Sequence, residues 1–227
     1  MDDVEAMAWN MARQSAEEFA NAPGAIDILR NGGWEGDIQS TILRRLGRME
    51  RILGIVEGQH HDVTRIDVVA HPVQGGLPHF ALELKVNYAQ QGVPMTSKGR
   101  LDACNKLRGL LVQQVPCFLI YTVADLWING DADPYVVRHN AIVPNDYKKF
   151  HPHPLINEID MAEILGQRTI PILLPIDHLK MSSARVRLLV WLSRVRQNAN
   201  GYTLTPMHED GASGGLVNVP VAPAAAV

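Results

Sequence analysis

Cysteine is scarce in this chain: Cys104 and Cys117 are the whole supply. Two cysteines build no disulfide framework, and these lack the spacing of metal ligands, so they read as buried thiols in a reducing compartment. An excess of positive charge is missing too, since 21 Lys and Arg face 24 Asp and Glu for a net charge of −3. That excludes a chain that clamps nucleic acid by its overall charge, and any surface for a polyanion has to be local. No apolar run approaches the roughly 20 residues of a membrane helix. The opening "MDDVEAMAWNMARQ" has acids where a signal peptide needs positive charge, so a cytoplasmic protein without a membrane partner is expected. No internal repeat is evident. Histidine is more plentiful, but His60, His61, His151 and His153 fall in loops without a third and fourth ligand for zinc.

What is there is an ordinary globular composition. Apolar residues make up 46% and charged residues 20% of 227, enough for one sizeable core. Residues 3–20 read as a helix, broken by "NAPG", with a short helical turn through Ile26 and Leu29 before "NGG". The segment "WEGDIQSTILRRLGR" then places Glu35, Gln39, Ile42 and Leu46 at i, i+4, i+7 and i+11, one stripe of a helix. The lower half of that stripe is apolar, while the upper half projects a carboxylate and an amide. Residues 52–58 are ambiguous between helix and strand. "TRIDVVA" (64–70) reads as a strand, "HPVQGGLPH" (71–79) as a hairpin turn, and "HFALELKV" as the next strand.

That last strand raises the functional question. Phe80, Leu82, Leu84 and Val86 form one face, and Glu83 and Lys85 stand side by side on the other. Asp67 lies on the neighbouring strand, and Glu35 and Gln39 arrive from the preceding helix. Unpaired, such a set of carboxylates repels itself. A divalent cation with hard oxygen ligands removes the conflict, and a lysine beside it can stabilise the attacking hydroxide or contact a phosphate.

Downstream, residues 97–114 read as a helix with the stripe Leu101, Cys104, Leu107 and Leu111, and with Asp102 and Lys106 as a surface pair. "VPCFLIYT" (115–122) has the continuous apolar run of a doubly covered central strand. Residues 128–160 read as a long loop, 169–176 as a short strand and 180–198 as a basic helix. The tail from Ala199 is poor in charge and is expected to be loosely held. Four units follow: an N-terminal helical segment (1–33), a core (34–127), a loop-rich extension whose basic helix packs on the core (128–198) and a flexible tail (199–227).

The order of acidic helix, Asp67 on a strand, Glu83-Leu84-Lys85 on the next strand, then helix and strand resembles the PD-(D/E)XK nuclease superfamily. The resemblance covers roughly residues 34–122, and Ile66 stands where the name of the motif has Pro. It implies an α/β, restriction-endonuclease-like mixed central sheet flanked by helices, here with a helical C-terminal extension. It also implies a Mg²⁺-dependent endonuclease, with Mn²⁺ as substitute, that hydrolyses DNA in restriction, defence or DNA processing. Asp67 and Glu83 match the metal ligands, Leu84 the residue that offers its backbone carbonyl, Lys85 the catalytic lysine and Glu35 the acid that completes the site. Gln39 resembles a supporting polar residue. Arg44, Arg45 and Arg48 on one helix, and Arg185, Arg187, Arg194 and Arg196 on another, are expected phosphate contacts. Cutting both strands of a duplex calls for a homodimer, because one site cuts one strand. The alternatives are an RNA nuclease, or a catalytically silent nucleic-acid-binding or assembly module on the same fold.

Overall fold

The structure, a computed structural model, describes residues 3–31, 34–49, 51–57, 65–88, 97–128, 131–132, 172–175, 184–207 and 217–220. Its elements are α1 (Asp3–Ala20), α2 (Ala25–Asn31), α3 (Trp34–Leu46), β1 (Ile52–Glu57), β2 (Ile66–Pro72), β3 (Phe80–Tyr88), α4 (Ser97–Val112), β4 (Cys117–Ile128), β5 (Asp131–Ala132), β6 (Ile172–Pro175), β7 (Ala184–Asn198), β8 (Gly201–Pro206) and β9 (Val217–Pro220). The strands form one mixed sheet in the order β1-β2-β3-β4-β7-β8-β9, with β5 on β4 and β6 on β7. β3 and β4 run parallel because α4 carries the chain back between them, and the other described pairs are antiparallel.

Helices cover both faces. On one face Trp34, Ile38, Ile42 and Leu46 of α3 join Phe80, Leu82 and Leu84 of β3 in a core shared with α1 and α2. On the other, Ala103, Cys104, Leu107 and Leu110 of α4 pack over Ala81 of β3 and Leu119 and Tyr121 of β4. Each large aliphatic so buried contributes about 1.5–3 kcal/mol. α3 sits close to the sheet at Gly54 of β1, where an added Cβ would lie 2.9 Å from Leu46 Cβ. Glycine there lets helix and strand approach, which brings the first turns of α3 toward β2 and β3. Among the described residues no helix is long and apolar enough to cross a membrane.

Four expectations fail. Residues 184–198 are not a basic helix on the surface but β7, which pairs with β4 from Cys117↔Val195 to Ile128↔Ala184. Leu188, Val190 and Leu192 enter the α1–α3 core, while Leu189, Trp191 and Val195 enter the α4 core. A strand buried on both faces reads as an unbroken apolar run, here "LLVWL", which periodicity alone cannot tell from a helix. The helical C-terminal extension and its separation from a 34–127 core therefore fall together, because β7 and β8 belong to the same sheet. The tail is not loose over its first part: Gly201, Tyr202, Leu204 and Pro206 of β8 are buried, and β9 pairs with β8. The loop expected at 128–160 begins instead with strand, at Ile128 of β4 and at Asp131–Ala132 of β5; residues 133–160 and the rest of the tail lie outside the described residues.

Candidate active site

The site begins as a backbone problem. In β3 the Ala81 N–H donates to Pro116 C=O on the β4 side. Since a strand's N–H and C=O groups alternate sides residue by residue, Leu82, Leu84 and Val86 turn theirs toward β2. β2 meets them only from Ala70↔Phe80 to Val68↔Leu82. Beyond Leu82 the outward backbone groups of β3 need other partners.

Side chains supply them. Asp67 Oδ2 accepts from Leu84 N–H at 2.8 Å and Lys85 Nζ donates to Leu84 C=O at 2.8 Å, while the nearby Val86 N–H favours the charged form of Glu35. From α3, Gln39 Nε2 donates to the Asp67 carbonyl at 2.6 Å and so secures the end of β2. Two of the candidate site residues, Asp67 and Lys85, thus also finish the sheet.

A bulge aims Asp67. The β1–β2 register runs Ile55↔Val69 but Glu57↔Ile66, which leaves one extra residue on β2. In consequence Ile66 and Val69 both enter the α4-side core, whereas a regular strand would put Ile66 with Val68. Strict alternation would set Ile66 and Val68 on one face and Asp67 and Val69 on the other. The bulge breaks that alternation at Asp67 and turns its carboxylate toward Leu84.

Glu83 lies on the α4 face with no side-chain exposure. Its Oε1 accepts from Lys85 Nζ at 2.7 Å and from Lys106 Nζ at 2.5 Å. Its Oε2 is buried and has no hydrogen-bond partner among the described residues. Burial pushes the Glu83 carboxyl above the usual range, and Asp67 adds to this against the pull of Lys85 and Lys106. Glu35 is raised for the same reasons, burial first and then Asp67, opposed by Lys85, Lys106 and the Val86 N–H. Lys85 goes the other way for a cation: burial alone would lower it, but Glu83, Glu35 and Asp67 outweigh burial and hold the ammonium more firmly protonated. The site disfavours charge on Glu83, which is fully buried beside another acid, and favours it on Lys85, which faces three carboxylates.

The structure therefore brings Glu35, Gln39, Asp67, Glu83, Leu84 and Lys85 together. It adds Lys106, which was expected to pair with Asp102 on the surface. Lys106 lies three residues after Ala103 and four before Leu110, on the stripe of α4 that packs on the sheet, and that spacing was the available signal. The arginines expected as phosphate contacts have these partners. Arg44 and Arg45 pair with Glu18 of α1, and Arg194 pairs with Glu5 and lies over the Phe118 ring. Arg48 and Arg196 are exposed. The side chains of Arg185 and Arg187 lie outside the described residues.

The donor set can be weighed against a hard cation. Two carboxylates, the Leu84 carbonyl and the adjacent Glu35 are all oxygen donors, and Glu83 Oε2 is a buried acceptor without a hydrogen-bond partner among the described residues. Among the described residues no group of three or more His, Cys, Asp and Glu side chains is drawn together closely enough to hold a metal unaided. Mg²⁺ asks less than that, since it is usually bound by one or two carboxylates and completes its shell with water and substrate oxygens. The set fits Mg²⁺ or Mn²⁺ in kind. No protein-family model, curated protein or solved structure matches the chain.

Proposed function

We propose that this chain is a Mg²⁺-dependent endonuclease of the PD-(D/E)XK type that hydrolyses DNA phosphodiester bonds. The observation that carries this reading is the set of Asp67, Glu83, the Leu84 carbonyl and Lys85 at the point where β2 and β3 part. Further support comes from the order of elements: α3, the antiparallel strands β1, β2 and β3, then α4 and a β4 parallel to β3. Within it, the acidic helix, the Asp67 strand, the Glu83 strand, the helix and the strand follow in the order on which the resemblance rests.

In this reading Asp67, Glu83 and the Leu84 carbonyl hold the ion, and Glu35 supports it. When bound, Mg²⁺ supplies Lewis acidity toward a phosphate oxygen and toward water. Lys85 brings the positive charge that orients the attacking hydroxide or offsets charge growing on the phosphate. Gln39 keeps Asp67 at the end of β2. A homodimer is the arrangement that would cut both strands of a duplex.

One observation favours a second reading. Glu83 already has two ammonium partners, so the cluster is partly neutralised without a metal. A silent nucleic-acid-binding or assembly module could keep it for stability. Purified protein incubated with supercoiled plasmid, single-stranded DNA and RNA, in Mg²⁺, Mn²⁺ or EDTA, separates these. Metal-dependent nicking of DNA, lost in Asp67→Ala and Lys85→Ala, is the expected result. Cleavage of RNA alone would replace the substrate. No cleavage, together with no Mn²⁺ uptake by calorimetry, would leave the silent module.

A further inference from the structure

Two lysines on one carboxylate oxygen is one more than the hydrogen bond needs. The two differ in what else they hold. Lys85 Nζ donates to Glu83 Oε1 and also to Leu84 C=O. Both acceptors belong to the oxygen set that would take a divalent ion, so an arriving ion competes with Lys85 for both of its acceptors among the described residues. Lys106 comes from α4, twenty-three residues along the chain from Glu83, and donates to Glu83 Oε1 alone among the described residues. The other oxygen, Oε2, is buried and unpartnered. A cation can take Oε2 while Lys106 keeps Oε1.

We infer that Lys106 is a positioning residue of the site: it stays on Glu83 Oε1, holds the carboxylate with Oε2 available to a cation, and so lets Lys85 leave Glu83 and Leu84 to act on substrate. This inference rests on the proposed metal-dependent reading. A buried carboxylate without a cation is strongly disfavoured, so without Lys106 Lys85 could not leave Glu83 before the ion is seated, and neither oxygen would be reserved for the ion. With Lys106 in place, one ammonium is structural and the other is free to move. Lys85 and Lys106 are similarly exposed, at 26% and 25% of their side chains, so exposure alone does not separate their reactivities.

The test is lysine acylation footprinting read by peptide mass spectrometry on the full chain, with and without Mg²⁺, beside calorimetry of Mg²⁺ binding. On Mg²⁺ saturation Lys85 is expected to become about fivefold more reactive, with Lys106 unchanged within about twofold. In Lys106→Met, at equal saturation, the rise at Lys85 should shrink at least about threefold, and Lys106→Arg should restore it. Mg²⁺ binding accompanied by exposure of Lys106, by equal exposure of both lysines or by no change at either would overturn the inference while leaving the metal site standing. So would an undiminished release of Lys85 in Lys106→Met. Absence of Mg²⁺ binding in the unaltered protein would instead overturn the metal-dependent reading, and the inference with it.

Discussion

The same two strands end in different ways. Toward the hairpin, β2 and β3 pair backbone to backbone from Val68↔Leu82 to Ala70↔Phe80, and Phe80 packs edge-on against Phe118 with ring centroids 6.4 Å apart. Toward the other end the ladder stops, and Asp67 and Lys85 take the Leu84 backbone groups that β2 no longer reaches. The hairpin end is held by apolar burial and main-chain bonds, the open end by charge. His71 and His79 belong to the hairpin end, where His79 N–H donates to Ala70 C=O. A sheet can host charged chemistry in its interior where its own ladder is interrupted, because the interruption supplies backbone donors and acceptors that charged side chains satisfy.

Breaking the open end should affect chemistry far more than folding. Asp67→Asn keeps an oxygen that can accept from Leu84 N–H but removes the charge. Metal-dependent cleavage is expected to fall by about 10²–10³-fold, the scale of losing one electrostatic contact to a transition state. Thermal stability measured beside it should change little. Equal losses in both would mean that Asp67 serves only to end the sheet. The pH response sharpens the same point. The carboxyls of Glu83 and Glu35 are raised from 4.5 by burial and by Asp67. An acid whose folded pKa lies above its unfolded value contributes stability that is present below the unfolded pKa and is lost as pH rises through the folded one. The stability of the wild type relative to Glu83→Gln should therefore decline as pH rises from about 4.5 through the raised folded value. Cleavage needs these carboxylates ionised and should rise over that interval. Melting curves and initial rates across the range check both signs, and a stability difference that grows with pH would reverse the assignment.

Breaking the hairpin end should do the opposite. Phe80 is fully buried, and Phe80→Ala is expected to cost about 3–5 kcal/mol in denaturant unfolding. The folded fraction should still cleave at close to the wild-type rate. A loss of activity in protein shown to be folded would mean that the two ends are not independent.

Much of this contrast was legible in the residues, and the failures have local causes. Glu83 and Lys85 announced themselves because a strand's faces alternate and both interrupt an otherwise apolar segment. Glu35 and Gln39 were visible as the polar half of a stripe whose apolar half is buried. The bulge on β2 was not, since one extra residue in a ladder leaves no mark in the pattern of a single strand. Lys106 was hidden by Asp102, whose spacing imitates a helical surface pair, although Asp102 is exposed and Lys106 turns to the sheet. β7 was misread because "LLVWL" suits a buried helix as well as a strand. The arginine pairs flanking that run, Arg185 and Arg187, Arg194 and Arg196, are spaced two apart, and that period belonged to the strand.

The arginines carry the smallest expected effect. Arg44 keeps 60% of its side chain exposed while pairing with Glu18 at 3.1 Å, so the pair is screened by solvent. Arg44→Ala should cost at most about 1 kcal/mol in unfolding. Its effect on nucleic acid is the sharper measurement. A residue that neutralises a phosphate changes the salt dependence of binding, lowering the slope of log K against log salt by about one. A residue committed to α1 leaves that slope unchanged. Filter binding of Arg44→Ala and Arg48→Ala over a salt series compares the two directly, since Arg48 is exposed in the turn after α3. If Arg44 belongs to the α1–α3 contact and Arg48 to a nucleic-acid surface, only Arg48→Ala shifts the slope. An equal shift for both would make the Glu18 pairing secondary and return the end of α3 to the substrate side.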